Sequence, residues 1–110
     1  FGKSADDHFA KIYAHVYDAH MNAADHIRAG MSGHEADAIA RGVLEKQGLD
    51  KFFTHSLGHG IGINTHEYPT LRIGADCTLK DDMVFSIEPG VYFEGEFGIR
   101  IEDSVRLKEN

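Results

Sequence analysis

The sequence predicts an α+β domain in which two helices are followed by an antiparallel sheet. Three observations carry this. Apolar residues recur at spacings of three and four up to about residue 47, which suits helices with one buried face. Beyond residue 50, aromatic and β-branched residues replace alanine, and glycines appear at 58, 60, 62, 74, 90, 95 and 98. Over Met83–Glu88 and again over Ile99–Leu107 residues alternate with period two, the period of a strand. The 110 residues, 42% hydrophobic and 26% charged, suit a single domain with one small core.

The first helix is expected from Ser4 to about Arg28, with Phe9, Ile12, Tyr13, Val16, Ala19, Ala23 and Ile27 on its buried face. Ser4 and Asp7 have capping-box spacing, and Gly30 supplies a stop. Five of the eight histidines precede residue 35; His8, His15 and His26 read as exposed flanks of this helix. Ser32 followed by Glu35 is a second capping pattern, opening a helix that runs to about Gln47 and ends at Gly48. Its apolar positions are Ala36, Ile39, Ala40, Val43 and Leu44. Two strands are then expected, Met83–Glu88 and Ile99–Leu107, with Pro89-Gly90 and Glu94-Gly95 interrupting the chain between them.

Composition excludes several function classes. No stretch approaches the roughly 18 consecutive apolar residues of a membrane helix, so no membrane partner is expected. The net charge of −7, with no basic cluster, argues against nucleic acid. One cysteine, Cys77, cannot form an internal disulfide, so a reducing cytoplasm is the expected compartment. Cys77 has no basic neighbour closer than Lys80 and does not read as a nucleophile. Gly2-Lys3-Ser4 lacks the earlier glycine of a phosphate-binding loop, and Asp81-Asp82 reads as a turn.

Two features carry chemistry. Alternation puts Glu88 and Glu102 on the polar face of their strands, and if the strands pair the carboxylates can approach, which requires a proton or a cation between them. On alternation alone, two glutamates that merely face water is the favoured reading. The run His55-Ser-Leu-Gly-His59-Gly-Ile-Gly62, followed by His66-Glu67, has too many glycines for a helix. Those glycines let backbone approach a metal or substrate closely. Histidine nitrogen with carboxylate oxygen suits manganese, cobalt, zinc or iron rather than calcium.

Taken together, His55-Ser-Leu-Gly-His59-Gly-Ile-Gly, His66-Glu67-Tyr-Pro69, Ser86-Ile-Glu88-Pro-Gly-Val-Tyr92 and Gly98-Ile-Arg-Ile-Glu102-Asp103 resemble the Xaa-Pro peptidases, prolidase and aminopeptidase P. The resemblance covers nearly the whole chain. It implies the C-terminal half of a pita-bread fold, shared with the methionine aminopeptidases, and a centre of two divalent ions, manganese first, with cobalt or zinc as alternatives. His59, Glu88 and Glu102 match metal ligands, Glu102 bridging both ions. Glu88 and His66 match catalytic positions, while His55, His66 and Arg100 match the substrate side, Arg100 flanking the bridging carboxylate. The implied partner is a proline-containing peptide cleaved at the bond before proline.

The family takes two further ligands from aspartates upstream of the first helix, and this chain begins at Phe1, after them. Residues 1–110 therefore read as one partial catalytic domain, expected to be inactive alone and to self-associate into a homo-oligomer through apolar surface left uncovered. Alternatives are a non-catalytic pita-bread module that binds peptides or proteins, a methionine aminopeptidase, and, remotely, a non-haem iron oxygenase using His55, His59 and one glutamate.

Overall fold

The computed structural model describes residues 3–61 and 68–108, with side chains from Asp7 onward. Helix α1 spans Lys3–His26 and helix α2 spans Gly33–Glu45. Ser4 lies inside α1 rather than ahead of it, and the side-chain half of its expected cap falls outside the described residues. At α2 the capping box forms: Ser32 Oγ accepts from Glu35 N at 3.1 Å and Glu35 Oε1 accepts from Ser32 N at 2.9 Å. Such a cap stabilises a helix start by about 0.5–2 kcal/mol. Gly30 and Gly48 come after the two helices with φ of 98° and 71°, and no described helix is long and apolar enough to cross a membrane.

The helices pack on each other, and α1 also contacts the sheet. Ile12, Val16, Ala19 and Ala23 of α1, with Ile27 just after it, are buried with Ala36, Ala40 and Leu44 of α2 and with Phe85, Ile87, Val91, Ile99 and Leu107. Phe9 and Tyr13, expected in that core, are 46% and 47% exposed. They belong with Tyr17 and Met21 to a second apolar stripe, one residue every helical turn, that stays largely exposed although the Phe9 ring packs edge-on against Phe97. His20 departs in the opposite direction. In a helix expected to be solvated on that side it is buried, and neither ring nitrogen has a hydrogen-bond partner among the described residues.

Among the described residues, six short strands come after a 3₁₀ turn at Asp50–Phe52. β1 (Gly58–His59) pairs with β2 (Thr70–Leu71), β3 (Val84–Ile87) with β6 (Asp103–Arg106), and β4 (Gly90–Phe93) with β5 (Phe97–Arg100), all antiparallel. Pro89-Gly90 does not form a loop. The pairs Ile87↔Asp103 and Gly90↔Arg100 enclose two residues on each side, so the ladder resumes in the same register after a two-residue pause. Proline has no N–H to give, but its carbonyl still accepts from Ile101 N at 3.2 Å, so the hairpin loses a donor without ending. The reversal is at Glu94–Glu96, closed by Glu96 N donating to Phe93 O at 2.9 Å. Asp81 and Asp82 form the expected turn into β3.

β1 adds to the free side of β3. Gly60 bridges Phe85, Glu88 N donates to Leu57 O at 2.7 Å, and Ile61 N donates to Val84 O at 3.0 Å. This close approach needs glycine: a Cβ at Gly58 would collide with the Ser86 carbonyl oxygen, and one at Gly60 with that of Tyr68.

Candidate metal centre

The continuous register of the long hairpin decides how its glutamates relate. Glu88 and Glu102 occupy the pause and lie opposite each other, and cross-strand partners share a face. His59 in β1 lies beside Ser86, the preceding residue on that same face. Three residues singled out in the sequence, His59, Glu88 and Glu102, therefore stand on one face of three adjacent segments.

Two of them meet. His59 Nε2 is 3.3 Å from Glu88 Oε2, with the Glu88 side chain 13% exposed and that of His59 48% exposed. The other ring nitrogen, Nδ1, is 3.0 Å from Gly60 O, a carbonyl that can only accept. Nδ1 must then carry the proton, and in the neutral ring Nε2 presents its lone pair to the Glu88 carboxylate. Lone pair against anion is repulsive unless a positive charge sits between, either a second ring proton or a cation. Metal–nitrogen and metal–oxygen bonds of about 2.1 Å place neighbouring ligand atoms about 3.0–3.4 Å apart, the range in which this pair lies. Orientation of a ligand histidine through its other nitrogen by a backbone carbonyl is also usual at metal sites.

Ser86 fixes the carboxylate. Its hydroxyl is buried, donates to Glu88 Oε2 at 2.8 Å, and accepts from His59 N at 3.1 Å. Ser86 stands two residues before Glu88, the strand spacing that puts both on the same side. Glu102, half exposed, is 3.7 Å from Arg100 Nε. Among the described residues no group of three or more His, Cys, Asp or Glu side chains converges closely enough to hold a metal. The donor set fits a divalent ion at two ligands, with a third on the same face.

His55 has both nitrogens engaged: Nδ1 is 2.8 Å from Ser56 O and Nε2 is 2.7 Å from the Tyr92 hydroxyl. Nδ1 therefore donates, and Nε2 accepts the Tyr92 proton. His66 lies outside the described residues. His8 does not simply face water, since its ring packs on Phe93 and Phe97 and Nδ1 is 3.9 Å from Glu96.

The pattern of metallopeptidase family M24 matches residues 1–109. The chain belongs to this family. Its M24 relatives include the Probable dipeptidase PepE of Mycobacterium tuberculosis, 44% identical over 105 residues, covering 96% of this chain and 28% of that protein. The Xaa-Pro dipeptidase of Pyrococcus furiosus is 41% identical over 100 residues, 91% of this chain and 29% of the relative. Among solved structures, the X-Pro aminopeptidase of Thermotoga maritima superposes with a TM-score of 0.88 at 43% identity, covering 94% of this chain and 29% of that one. The M24 chain thus spans less than a third of these relatives' length, and its two helices and antiparallel strands match the C-terminal part of the pita-bread fold.

Proposed function

We propose that this chain contributes His59, Glu88 and Glu102 to the two-metal centre of a peptidase that cleaves the bond before proline. The observation that carries the reading is the 3.3 Å approach of His59 Nε2 to Glu88 Oε2, with Nδ1 committed to Gly60 O. It is supported by the M24 membership and by relatives named as Xaa-Pro dipeptidases and X-Pro aminopeptidases. Bound divalent ions, manganese as first expectation with cobalt or zinc as alternatives, would supply Lewis acidity and a more acidic water.

The residues of this chain then have separate tasks. Hydrolysis of a peptide bond needs one proton taken from water and one delivered to the departing prolyl nitrogen. Glu88 is the group to carry both, because its carboxylate is largely buried and held by Ser86 Oγ at 2.8 Å, which limits its orientation. Glu102 must be anionic to serve two cations, and Arg100 at 3.7 Å holds its charge in place. His55, tethered to Tyr92, and His66 are assigned to the substrate side, with His66 also catalytic. A proline-containing peptide is the partner, the reducing cytoplasm the compartment suggested by the single Cys77, and a second copy the partner suggested by the exposed stripe on α1.

With three ligands where the resemblance implies five, the 110-residue chain alone is catalytically silent. The test is to titrate the purified chain with Mn²⁺ and assay proline release from Xaa-Pro dipeptides, then repeat with a parent protein that carries the rest of the domain. Release by the parent only is expected. Metal-dependent release by the chain alone would overturn the ligand assignment, and a folded parent with no release would favour a peptide-binding module.

A further inference from the structure

We propose that Asp37 and Arg41, on α2 and outside the candidate centre, are positioning residues for it; the proposal rests on the reading of His59 and Glu88 as metal ligands. Asp37 is 0% exposed on the helix face it shares with Ala36, Ala40 and Leu44. A carboxylate in that position is stable only with full compensation, and Arg41 one turn later supplies it. Arg41 Nε donates to Asp37 Oδ1 at 2.7 Å, and one terminal nitrogen donates to Oδ2 at 3.1 Å.

The pair does more than neutralise itself. Two of the guanidinium's three remaining N–H donors go to Phe53 O at 2.9 Å and His55 O at 3.0 Å, with its Cζ 4.0 Å from the centre of the Phe53 ring. Asp37 Oδ2 also accepts from Leu57 N at 3.1 Å, an N–H it shares with Leu71 O. Three alternate residues, 53, 55 and 57, are thereby fixed to α2 through one buried ion pair. This segment leads directly into the candidate centre. The Leu57 carbonyl accepts from Glu88 N at 2.7 Å, and the next residues are Gly58 and His59. One hydrogen-bonded path therefore runs from the Asp37 carboxylate through Leu57 to the backbone of Glu88, and the same segment carries His55. A displacement of residues 53–57 moves His59 and Glu88 relative to each other, and their 3.3 Å separation is the property the centre depends on. Periodicity alone shows neither role, although Asp37 among buried helix positions with arginine four residues on is the available signal.

The test uses Arg41→Lys in the parent protein. Lysine keeps a positive charge beside Asp37, but one ammonium cannot replace the planar fork and reach both Phe53 O and His55 O. Melting temperature, Mn²⁺ affinity by calorimetry, and kcat and KM for an Xaa-Pro dipeptide are measured on wild type, Arg41→Lys and His59→Ala. The expected result is a folded variant whose Mn²⁺ affinity and kcat both fall about 10- to 100-fold while KM changes little. A folded Arg41→Lys with wild-type affinity and kcat and only a lower melting temperature would show a merely stabilising pair. A variant that does not fold at all would likewise overturn positioning in favour of plain stabilisation. Failure of the underlying reading is visible separately, as wild-type Mn²⁺ binding that His59→Ala leaves unchanged.

Discussion

Replacing Ser86 by alanine perturbs the hydroxyl on which the geometry of His59 and Glu88 depends. That hydroxyl has one proton and two candidate acceptors, Glu88 Oε2 at 2.8 Å and His59 O at 3.4 Å, so the shorter contact to the anion takes it. A hydrogen bond to a charged group contributes about 1.5–3 kcal/mol, the expected loss of stability in Ser86→Ala. The second loss is local. His59 N, which donates to Ser86 Oγ at 3.1 Å, is left without its acceptor, at a cost of about 1–3 kcal/mol. Expressed as an opening equilibrium, that is about 5- to 150-fold faster amide exchange. Hydrogen exchange of the His59 amide should be compared between wild type and Ser86→Ala, with the Leu79 amide, bonded to Met31 O at 2.8 Å, as internal control. Acceleration at His59 with Leu79 unchanged is expected. Equal exchange at His59 in both proteins would refute the hydroxyl's role in holding β1 against β3.

Phe85 is fully buried in β3, and Phe85→Ala should cost about 3–5 kcal/mol in urea unfolding; a loss near zero would place the core elsewhere. Glu102→Gln in the parent protein should abolish Xaa-Pro hydrolysis while leaving the melting temperature close to wild type, because the residue is half exposed and a neutral amide cannot bridge two cations. Near-normal turnover in a folded variant would contradict the bridging role. The stripe of Phe9, Tyr13, Tyr17 and Met21 should make the isolated chain self-associate in light scattering, and Tyr13→Glu with Tyr17→Glu should reduce that association. A strict monomer at high concentration would count against it.

Features legible in the sequence are legible for local reasons. The Ser32 cap depends on two side chains three residues apart and on nothing else, so the S-x-x-E pattern locates it. Alternation with period two puts Glu88 and Glu102 on polar faces, and the hairpin register then sets them opposite each other. Pro89 misleads because its missing N–H looks like a break, whereas its carbonyl continues the ladder. Strands β1 and β2 are two residues each, too short for any period to show. Phe9 and Tyr13 lie on a helix with two apolar stripes, and periodicity alone does not say which one the rest of the chain covers. His20 is four residues after Val16 and three before Ala23, so its burial is implied by spacing but masked by its polarity.

His59 and Glu88 face each other, on this reading, because a divalent ion belongs between or beside them. Crystals of the parent protein grown with Mn²⁺ and measured at the manganese absorption edge test it directly. An anomalous peak is expected within about 2.3 Å of His59 Nε2 and of a Glu88 oxygen, with Glu102 bound to the same peak and to a second one nearby. Manganese located only elsewhere, with the 3.3 Å contact between His59 and Glu88 intact as a simple ion pair, would contradict it.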